Sequence, residues 1–344
     1  MNILITGGCG FIGCNAAQRF LKLEHSVTIL DNLSRRGSDR NLEWLRTQGS
    51  FEFINGDIRD AELMNQTVSR GKFDVVLHLA AQVAVTTSVV EPREDFEINA
   101  LGTFNVLEAV RKYSPSAIVL NASTNKVYGK LSDLEIEEEA KRCKLPALPL
   151  GVAETQPLDF HSPYGCSKGA GDQYMLDYAR IFGLRTVNFR QSCIYGYRQF
   201  GVEDQGWVAW FTIAHESKRP VVIYGSGKQV RDILFIEDLV DCYLAAIERI
   251  DAVAGTTFNV GGGPENTLSL LELLDALKAH SGREVVHSFE GWRPGDQPVY
   301  VSDIRKAREL LQWQPKISVK QGLERLHNWV SSNAEVLSAG AVTA

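Results

Sequence analysis

Asn2-Ile3-Leu4-Ile5-Thr6-Gly7-Gly8-Cys9-Gly10-Phe11-Ile12-Gly13 is the stretch that decides the fold. A short apolar run with β-branched residues predicts a buried strand, the glycines end it, and apolar positions at helical spacing follow from Asn15 to Leu23. Gly7, Gly10 and Gly13 stand as G-x-x-G-x-x-G. That spacing permits a tight turn, lets backbone N–H groups approach a pyrophosphate and brings the helix close to the strand. A glycine triplet alone is weak evidence; between a strand and a helix it predicts a dinucleotide-binding α/β unit.

The strand Ser26–Leu30 ends at Asp31, about twenty residues past the glycine loop, where a carboxylate can accept hydrogen bonds from an adenine-ribose diol. This favours NAD over NADP, because a carboxylate repels a 2′-phosphate. Arg35 and Arg36 keep NADP open, since a guanidinium there could embrace that phosphate. Phe51–Ile54 leads to Gly56-Asp57-Ile58-Arg59-Asp60, a strand ending in a second carboxylate near the adenine, with Asp60 as a helix N-cap. Asp74–Ala81 is a buried strand whose small Ala80 and Ala81 let a cofactor lie against the backbone; His78 within it reads as a hydrogen-bonded structural residue. A helix from Phe96 to Lys112 carries Asn99 and Gly102 and is a candidate subunit interface. Ala117–Asn121 then delivers Ala122-Ser123-Thr124, and Leu184–Phe189 is a sixth strand.

Strands alternating with helices imply a parallel sheet covered on both faces, with ligands at the strands' carboxyl ends. The expected fold is a Rossmann-type doubly wound α/β sheet with a smaller, interleaved C-terminal substrate lobe. Residues 1–189 form the dinucleotide domain, with 231–250 returning to it. Residues 190–230 and 251–332 form the lobe, and 333–344 a flexible tail. Lys130–Phe160, polar and proline-bearing, reads as a loop passing over the site.

The chemistry centres on Tyr164-Gly165-Cys166-Ser167-Lys168. At the start of a helix, Tyr164 and Lys168 stand four residues apart on one face. A free phenol, with a pKa of about 10, is a poor base at neutral pH, but a nearby ammonium and a cationic nicotinamide ring favour the phenolate. Tyr164 can then take a hydroxyl proton while Thr124, or neighbouring Ser123, holds the substrate oxygen. The catalytic candidates are therefore Tyr164, Lys168, Thr124 and Ser123. The pair alone is weak evidence; its order after the glycine loop and the Ser-Thr strand gives it weight. The expected NAD contacts are Gly7, Gly10, Phe11, Ile12, Gly13, Asp31, Asn32, Ser34, Arg35, Asp57, Ile58, Leu79, Ala80, Ala81, Asn99, Tyr164 and Lys168.

With 344 residues the chain can bury a large core, and 44% hydrophobic residues is ordinary for a globular protein. A net charge of −6 with scattered Lys and Arg argues against nucleic acid and anionic membrane as partners. No apolar run long enough to span a bilayer and no leader pattern is present, which predicts a cytoplasmic protein. Its six cysteines show neither metal-ligand nor disulfide-framework spacing, so no metal site and reduced thiols are expected. In the lobe, Gln229-Val230-Arg231-Asp232 and Arg293-Pro294-Gly295-Asp296 each bring an arginine out of a loop, suited to a diphosphate; surface salt bridges are the plainer account of both. Thr124, Gln199, Arg231 and Arg293 are the substrate-contact candidates.

Thr6–Gly13, Asp31-Asn32, Gly56-Asp57-Ile58, His78-Leu79-Ala80-Ala81, Ser123-Thr124 and Tyr164-x-x-x-Lys168 together resemble the extended short-chain dehydrogenase/reductases that act on nucleotide sugars. The resemblance runs from Asn2 to about Val330. Within that family, Ser123–Gly129, Asp159–Gly169, Arg198-Gln199-Phe200 and Asp204–Trp207 are similar to enzymes inverting carbon 2 of a CDP-linked 3,6-dideoxyhexose. The family's 4,6-dehydratases carry an Asp-Glu pair after the threonine, where this chain has Asn125-Lys126. Its 4-epimerases usually carry asparagine where Cys193 stands. The resemblance implies NAD retained through turnover, a nucleotide-diphosphate sugar as substrate and a homo-oligomer, dimer or tetramer. It also implies a mechanism: a 3,6-dideoxyhexose has no hydroxyl at carbon 3, so oxidation must occur at carbon 2 itself. An epimerase acting on carbon 4 of a UDP-hexose and, from another class, a catalytically silent NAD-binding regulator stay open as alternatives.

Overall fold

The computed structural model describes residues 1–131, 134–293, 296–334 and 337. Seven strands form one parallel sheet: β1 (Asn2–Thr6), β2 (Ser26–Asp31), β3 (Glu52–Asn55), β4 (Val75–His78), β5 (Ile118–Thr124), β6 (Arg185–Gln191) and β7 (Thr256–Val260), in the order β7-β6-β5-β4-β1-β2-β3. The central strands are apolar without alternation because both faces are covered. Ile3 and Ile5 face one layer and Leu4 the other, and all three are fully buried. The strand order reverses between β1 and β4, and the crevice this opens at their carboxyl ends is where a doubly wound sheet binds its ligand.

Helices α1 (Phe11–Lys22) and α2 (Ser38–Arg46) pack on the Ile3/Ile5 face. Helices α3 (Ala61–Gly71), α4 (Gly102–Tyr113) and α5 (Ser162–Phe182) pack on the other face. The Asp60 side chain caps α3, accepting from the Leu63 N–H at 3.0 Å. The helix expected over Phe96–Lys112 is broken by a π turn at Glu97–Leu101 that buries Asn99, a local widening that periodicity does not report.

Two boundaries differ from those the sequence suggests. Thr256–Val260, expected in the lobe, is the seventh strand of the main sheet, pairing with β6 from Thr256↔Val187 to Val260↔Gln191. Val230–Phe235, whose Arg231 onward was expected to return to the dinucleotide domain, instead forms a lobe sheet with Cys193–Tyr195, Thr267–Ser269 and Val299–Tyr300. Only the helix after it, α6 (Ile236–Glu248), returns to pack beside α1. The helices Leu270–Ser281 and Val319–Ser332 each start on a reciprocal capping box, Ser269 with Glu272 and Ser318 with Gln321.

None of the described residues of segment 130–160 lines the cavity. Leu131, Cys143, Leu145 and Val152 pack against Val230, Val299 and Tyr300 of the lobe, and a short hairpin pairs Glu137–Glu138 with Cys143–Lys144. The described part of the tail is not loose either: Asn333 Nδ2 donates to Trp329 O at 2.8 Å, and Leu337 is buried in the main core. Residues 335, 336 and 338–344 lie outside the described residues. Among the described residues no helix is long and apolar enough to cross a membrane.

Candidate active site

A cavity of about 470 Å³ opens at the carboxyl ends of β1, β2, β4, β5 and β6. Its floor is the glycine turn. Gly7 adopts φ +70°, and a Cβ on it would lie 2.6 Å from the Ala80 N, so the turn and the β4 exit touch backbone to backbone. A Cβ on Gly13 would overlap the Gly7 carbonyl, which is why α1 can start so close to β1. Gly10 is the N-cap of α1 and has no side chain to cap it. The first-turn N–H groups are therefore left to whatever fills the cavity, and a pyrophosphate meets both their geometry and the helix dipole.

Every expected cofactor residue except Asn99 lines this cavity. Asp31 joins β2 to the glycine turn, accepting from the Cys9 N–H (2.9 Å) and the Leu33 N–H (2.8 Å). Burial holds its carboxyl above the usual range despite those bonds, so a second anion there would be poorly tolerated. Arg35, which kept a 2′-phosphate open, donates instead to Gln205 Oε1 at 2.6 Å, bridging to the lobe. Asp57 is held by Arg59, at 2.7 Å to Oδ2, and accepts from Asn32 at 2.9 Å. Asn99 is a correction: it does not line the cavity. Its amide donates to Gln82 O (3.0 Å), Asp95 Oδ1 (3.1 Å) and Ser167 Oγ (3.2 Å), and its oxygen accepts from the Gln82 N–H (2.9 Å). It braces the wall behind the cofactor site.

Tyr164 and Lys168 stand in the first turns of α5, which carries Pro163 in its first turn and buries Tyr164, Lys168, Asp172, Met175 and Tyr178 at helical spacing. Both line the cavity with Ser123 and Thr124 from the end of β5. Burial pushes the Tyr164 phenol up to about 12; the Thr124 hydroxyl opposes this and the Asp95 charge adds to it. The Lys168 ammonium donates to Ala122 O at 2.6 Å. Burial pushes Lys168 down to about 8 against the pull of Asp172 and Asp95. Ser123 is a second correction. Its hydroxyl proton goes to Asp172 Oδ2 (2.7 Å), leaving Thr124 as the hydroxyl on the Tyr164 side.

On the substrate side, Gln199 lines the cavity and is buried; its Nε2 donates to Ile194 O at 3.3 Å, while Oε1 has no protein partner. Cys193 lines the same wall, its thiol pushed up to about 12 by burial and touched by Trp207. Arg231 and Arg293 lie outside the cavity wall. Arg293 makes the salt bridges that were the plainer account of it: its guanidinium pairs with Glu203 (3.2 Å) and Asp204 (3.1 Å) and lies 3.7 Å over the Tyr224 ring. Pro294 and Gly295 lie outside the described residues.

The sequence reading missed Gln82, Gln191 and the role of Arg198. Gln82 lines the cavity and is locked to Asp95 (3.0 Å). Gln191 ends β6 and donates to the Tyr243 hydroxyl (2.6 Å). Arg198, at φ +64°, donates to Asn41 Oδ1 (3.0 Å) and lies 4.8 Å over Trp44, and so fastens the lobe to α2. A polar residue at the end of a buried strand was a readable signal for Gln191. No local signal announces a contact between positions 41 and 198.

The family profile described as GDP-mannose 4,6 dehydratase matches residues 4–326. The chain is 47% identical to the CDP-paratose 2-epimerase of Salmonella typhi, over 96% of this chain and 100% of that one. It is 33% identical to a putative UDP-glucose 4-epimerase of Methanocaldococcus jannaschii, over 96% and 99%. The structure of the UDP-glucuronic acid 4-epimerase of Bacillus cereus, in complex with UDP-glucuronic acid and NAD, superposes with a TM-score of 0.83 at 28% identity, covering 96% of this chain and 99% of that one.

Proposed function

The chain belongs to the GDP-mannose 4,6-dehydratase family of extended short-chain dehydrogenase/reductases, the NAD-dependent nucleotide-sugar epimerases and dehydratases, and we propose that within it this enzyme inverts carbon 2 of a CDP-3,6-dideoxyhexose, interconverting CDP-paratose and CDP-tyvelose. NAD is the cofactor, and the uncapped α1 N-terminus, Asp31 and the Ala80-Ala81 wall suit it. What carries the reading is the meeting of Thr124, Tyr164 and Lys168 on that cavity, in a chain so alike over its whole length to a CDP-paratose 2-epimerase.

Bound NAD supplies the hydride acceptor and, in the second half of the reaction, the donor. Tyr164 takes the proton from the carbon 2 hydroxyl as that carbon is oxidised, and returns it when the flat ketone is reduced on its other face. Thr124 holds the reacting oxygen. Lys168, which lines the cavity, would hold the cofactor's ribose and bring positive charge to the phenol's side of the site. Burial holds the Tyr164 phenol protonated, and a cationic group bound beside it would favour the phenolate. Gln199, with its unpartnered oxygen, can accept from a sugar or nucleotide donor.

The test is isotopic. CDP-paratose deuterated at carbon 2 should yield product that keeps the label, and product formed in heavy water should gain none. Wash-out of the label into solvent would sink direct oxidation at carbon 2. Six free cysteines suit a reducing cytoplasm. A second copy of the chain is the expected cover for an apolar face on α4 and α5.

A further inference from the structure

The short helix Pro92–Phe96 turns Asp95 inward against the first turns of α5. Its neighbours Arg93 and Glu97 pair with each other at the surface (2.8 Å), whereas Asp95 is almost wholly buried. Asp95 Oδ1 accepts from Gln82 Nε2 (3.0 Å) and Asn99 Nδ2 (3.1 Å), and Oδ2 from the Ser167 hydroxyl (2.5 Å). Neither amide can be turned round, because the Asn99 oxygen takes the Gln82 N–H (2.9 Å) and the Gln82 side-chain oxygen takes the Ala84 N–H. Donors at both oxygens are what an ionised carboxylate requires, and they oppose the burial that raises its pKa.

The network reaches both catalytic side chains. Ser167 precedes Lys168 in the chain, and its Oγ lies 3.2 Å from the Tyr164 carbonyl oxygen; Gln82, on the other side of Asp95, lines the cavity. The groups facing Lys168 are Asp172 from α5 itself, Asp95, Tyr164 one turn earlier, the Ala122 carbonyl of β5 and His78 of β4, which burial keeps neutral. Asp172 has the larger pull on Lys168, but Arg190 balances that carboxylate at 2.8 Å. Ser167, Gln82 and Asn99 are all neutral, so the cation that acts on Asp95 is Lys168.

We propose that Asp95 is a positioning residue of the epimerase reaction, its charge holding Lys168 as an ammonium while its bond to Ser167 fixes the turn that carries Tyr164. This rests on the reading of the protein as an epimerase that works through Tyr164 and Lys168. The same charge opposes the phenolate, because two negative groups in a buried site repel each other. Asp95 therefore raises both titrations of the pair together and sets the pH window in which phenolate and ammonium coexist. Removing the charge should slide that window toward acid, whereas loss of a purely structural contact lowers the rate without moving it.

Asp95→Asn isolates the charge. The new oxygen can keep accepting from Gln82 and Asn99, and the new amide can donate to Ser167, whose own proton then turns to the Tyr164 carbonyl. In the NAD-loaded protein the Tyr164 phenolate is titrated by its ultraviolet absorbance, as the difference from the matching Tyr164→Phe form. Asp95→Asn should lower that midpoint by about half a pH unit or more and move both limbs of the kcat profile for CDP-paratose to lower pH, so that turnover on the alkaline limb falls by about threefold. Asp95→Glu, which keeps the charge on a longer stem, should leave the midpoint near that of the wild type even where its turnover falls. An unmoved or raised midpoint in Asp95→Asn overturns the proposal, and so does an equal shift in Asp95→Glu. Should Asp95→Asn not retain NAD, Asp95→Ser is titrated in its place. A wild type that inverts nothing in CDP-paratose counts against the functional reading, and the phenolate titration then still decides the role of Asp95.

Discussion

Tyr164 and His78 show how burial sets proton chemistry one residue at a time. A phenol pushed up to about 12 is not a base at rest, so turnover depends on the charge that arrives with NAD and on the Thr124 hydrogen bond. Tyr164→Phe should lower kcat by about a thousandfold or more while leaving NAD content and melting temperature near wild type, as checked by turnover of CDP-paratose and by release of NAD on denaturation. His78 is 2% exposed between two threonines. Thr103 Oγ1 gives its proton to Asn99 O (2.6 Å), so it accepts from His78 Nε2–H (3.0 Å), and Nδ1 accepts from the Thr6 hydroxyl (2.7 Å). The ring is thus neutral. Burial first, and Lys168 second, push its pKa down to about 3 from the ordinary 6.5. The unfolded chain binds that proton more readily, so the stability His78 contributes is complete above about pH 6.5 and is lost as pH falls toward 3, on the order of a few kcal/mol. Urea midpoints measured across that window should fall with pH in the wild type and fall less steeply in His78→Gln; equal slopes would refute the assignment.

Helix α5 is tied to the sheet by one buried ion pair. Asp172 accepts from Arg190 Nη2 (2.8 Å) and Nε (3.0 Å), Asn188 Nδ2 (2.5 Å) and Ser123 (2.7 Å), so a single carboxylate joins α5 to β5 and β6 directly behind the catalytic turn. With Arg190 and Asp172 almost wholly buried, Asp172→Asn leaves an uncompensated guanidinium and should cost about 3–5 kcal/mol in chemical denaturation. At this scale the sequence was most readable where periodicity and glycine spacing are local properties. β1, the glycine turn, α1, the Ser-Thr exit of β5 and the Tyr-Lys face of α5 all follow from residues near one another in the chain. It was least readable where an element's partner is remote. Thr256-Thr257-Phe258-Asn259-Val260 is too mixed to announce a buried strand, and only its pairing with β6 makes it the seventh. Asn99 carries no mark of the π turn that folds its amide inward, and nothing beside Ser123 tells that Asp172 takes its proton. The arginines at 231 and 293 looked alike in sequence, yet one bonds its own strand's carbonyl and the other two carboxylates of the lobe.

Among the described residues, several large apolar side chains stay exposed beside α4 and α5 outside the three buried clusters. Phe96 (56% exposed) and Leu101 (39%) precede α4, and Tyr174 (42%), Ile181 (62%) and Phe182 (48%) project from α5, which meets α4 through edge contacts of Phe104 with Tyr174 and Tyr178. Exposed large apolar side chains gathered in one place are a candidate contact for a second copy of the chain. Tyr174, Ile181 and Phe182 come from the same helix that carries Tyr164 and Lys168 nearer its start, so covering the face would also steady the catalytic turn. Two such helices from each of two copies make a four-helix contact about a twofold axis, the arrangement in which one apolar patch satisfies itself. Light scattering should therefore give the mass of two chains for the wild type, and Leu101→Glu with Ile181→Glu should reduce it to that of one, because carboxylates at both positions cannot be buried without partners. If the face is instead open to water, the wild type will run as a single chain and the double variant will match it in mass and in turnover.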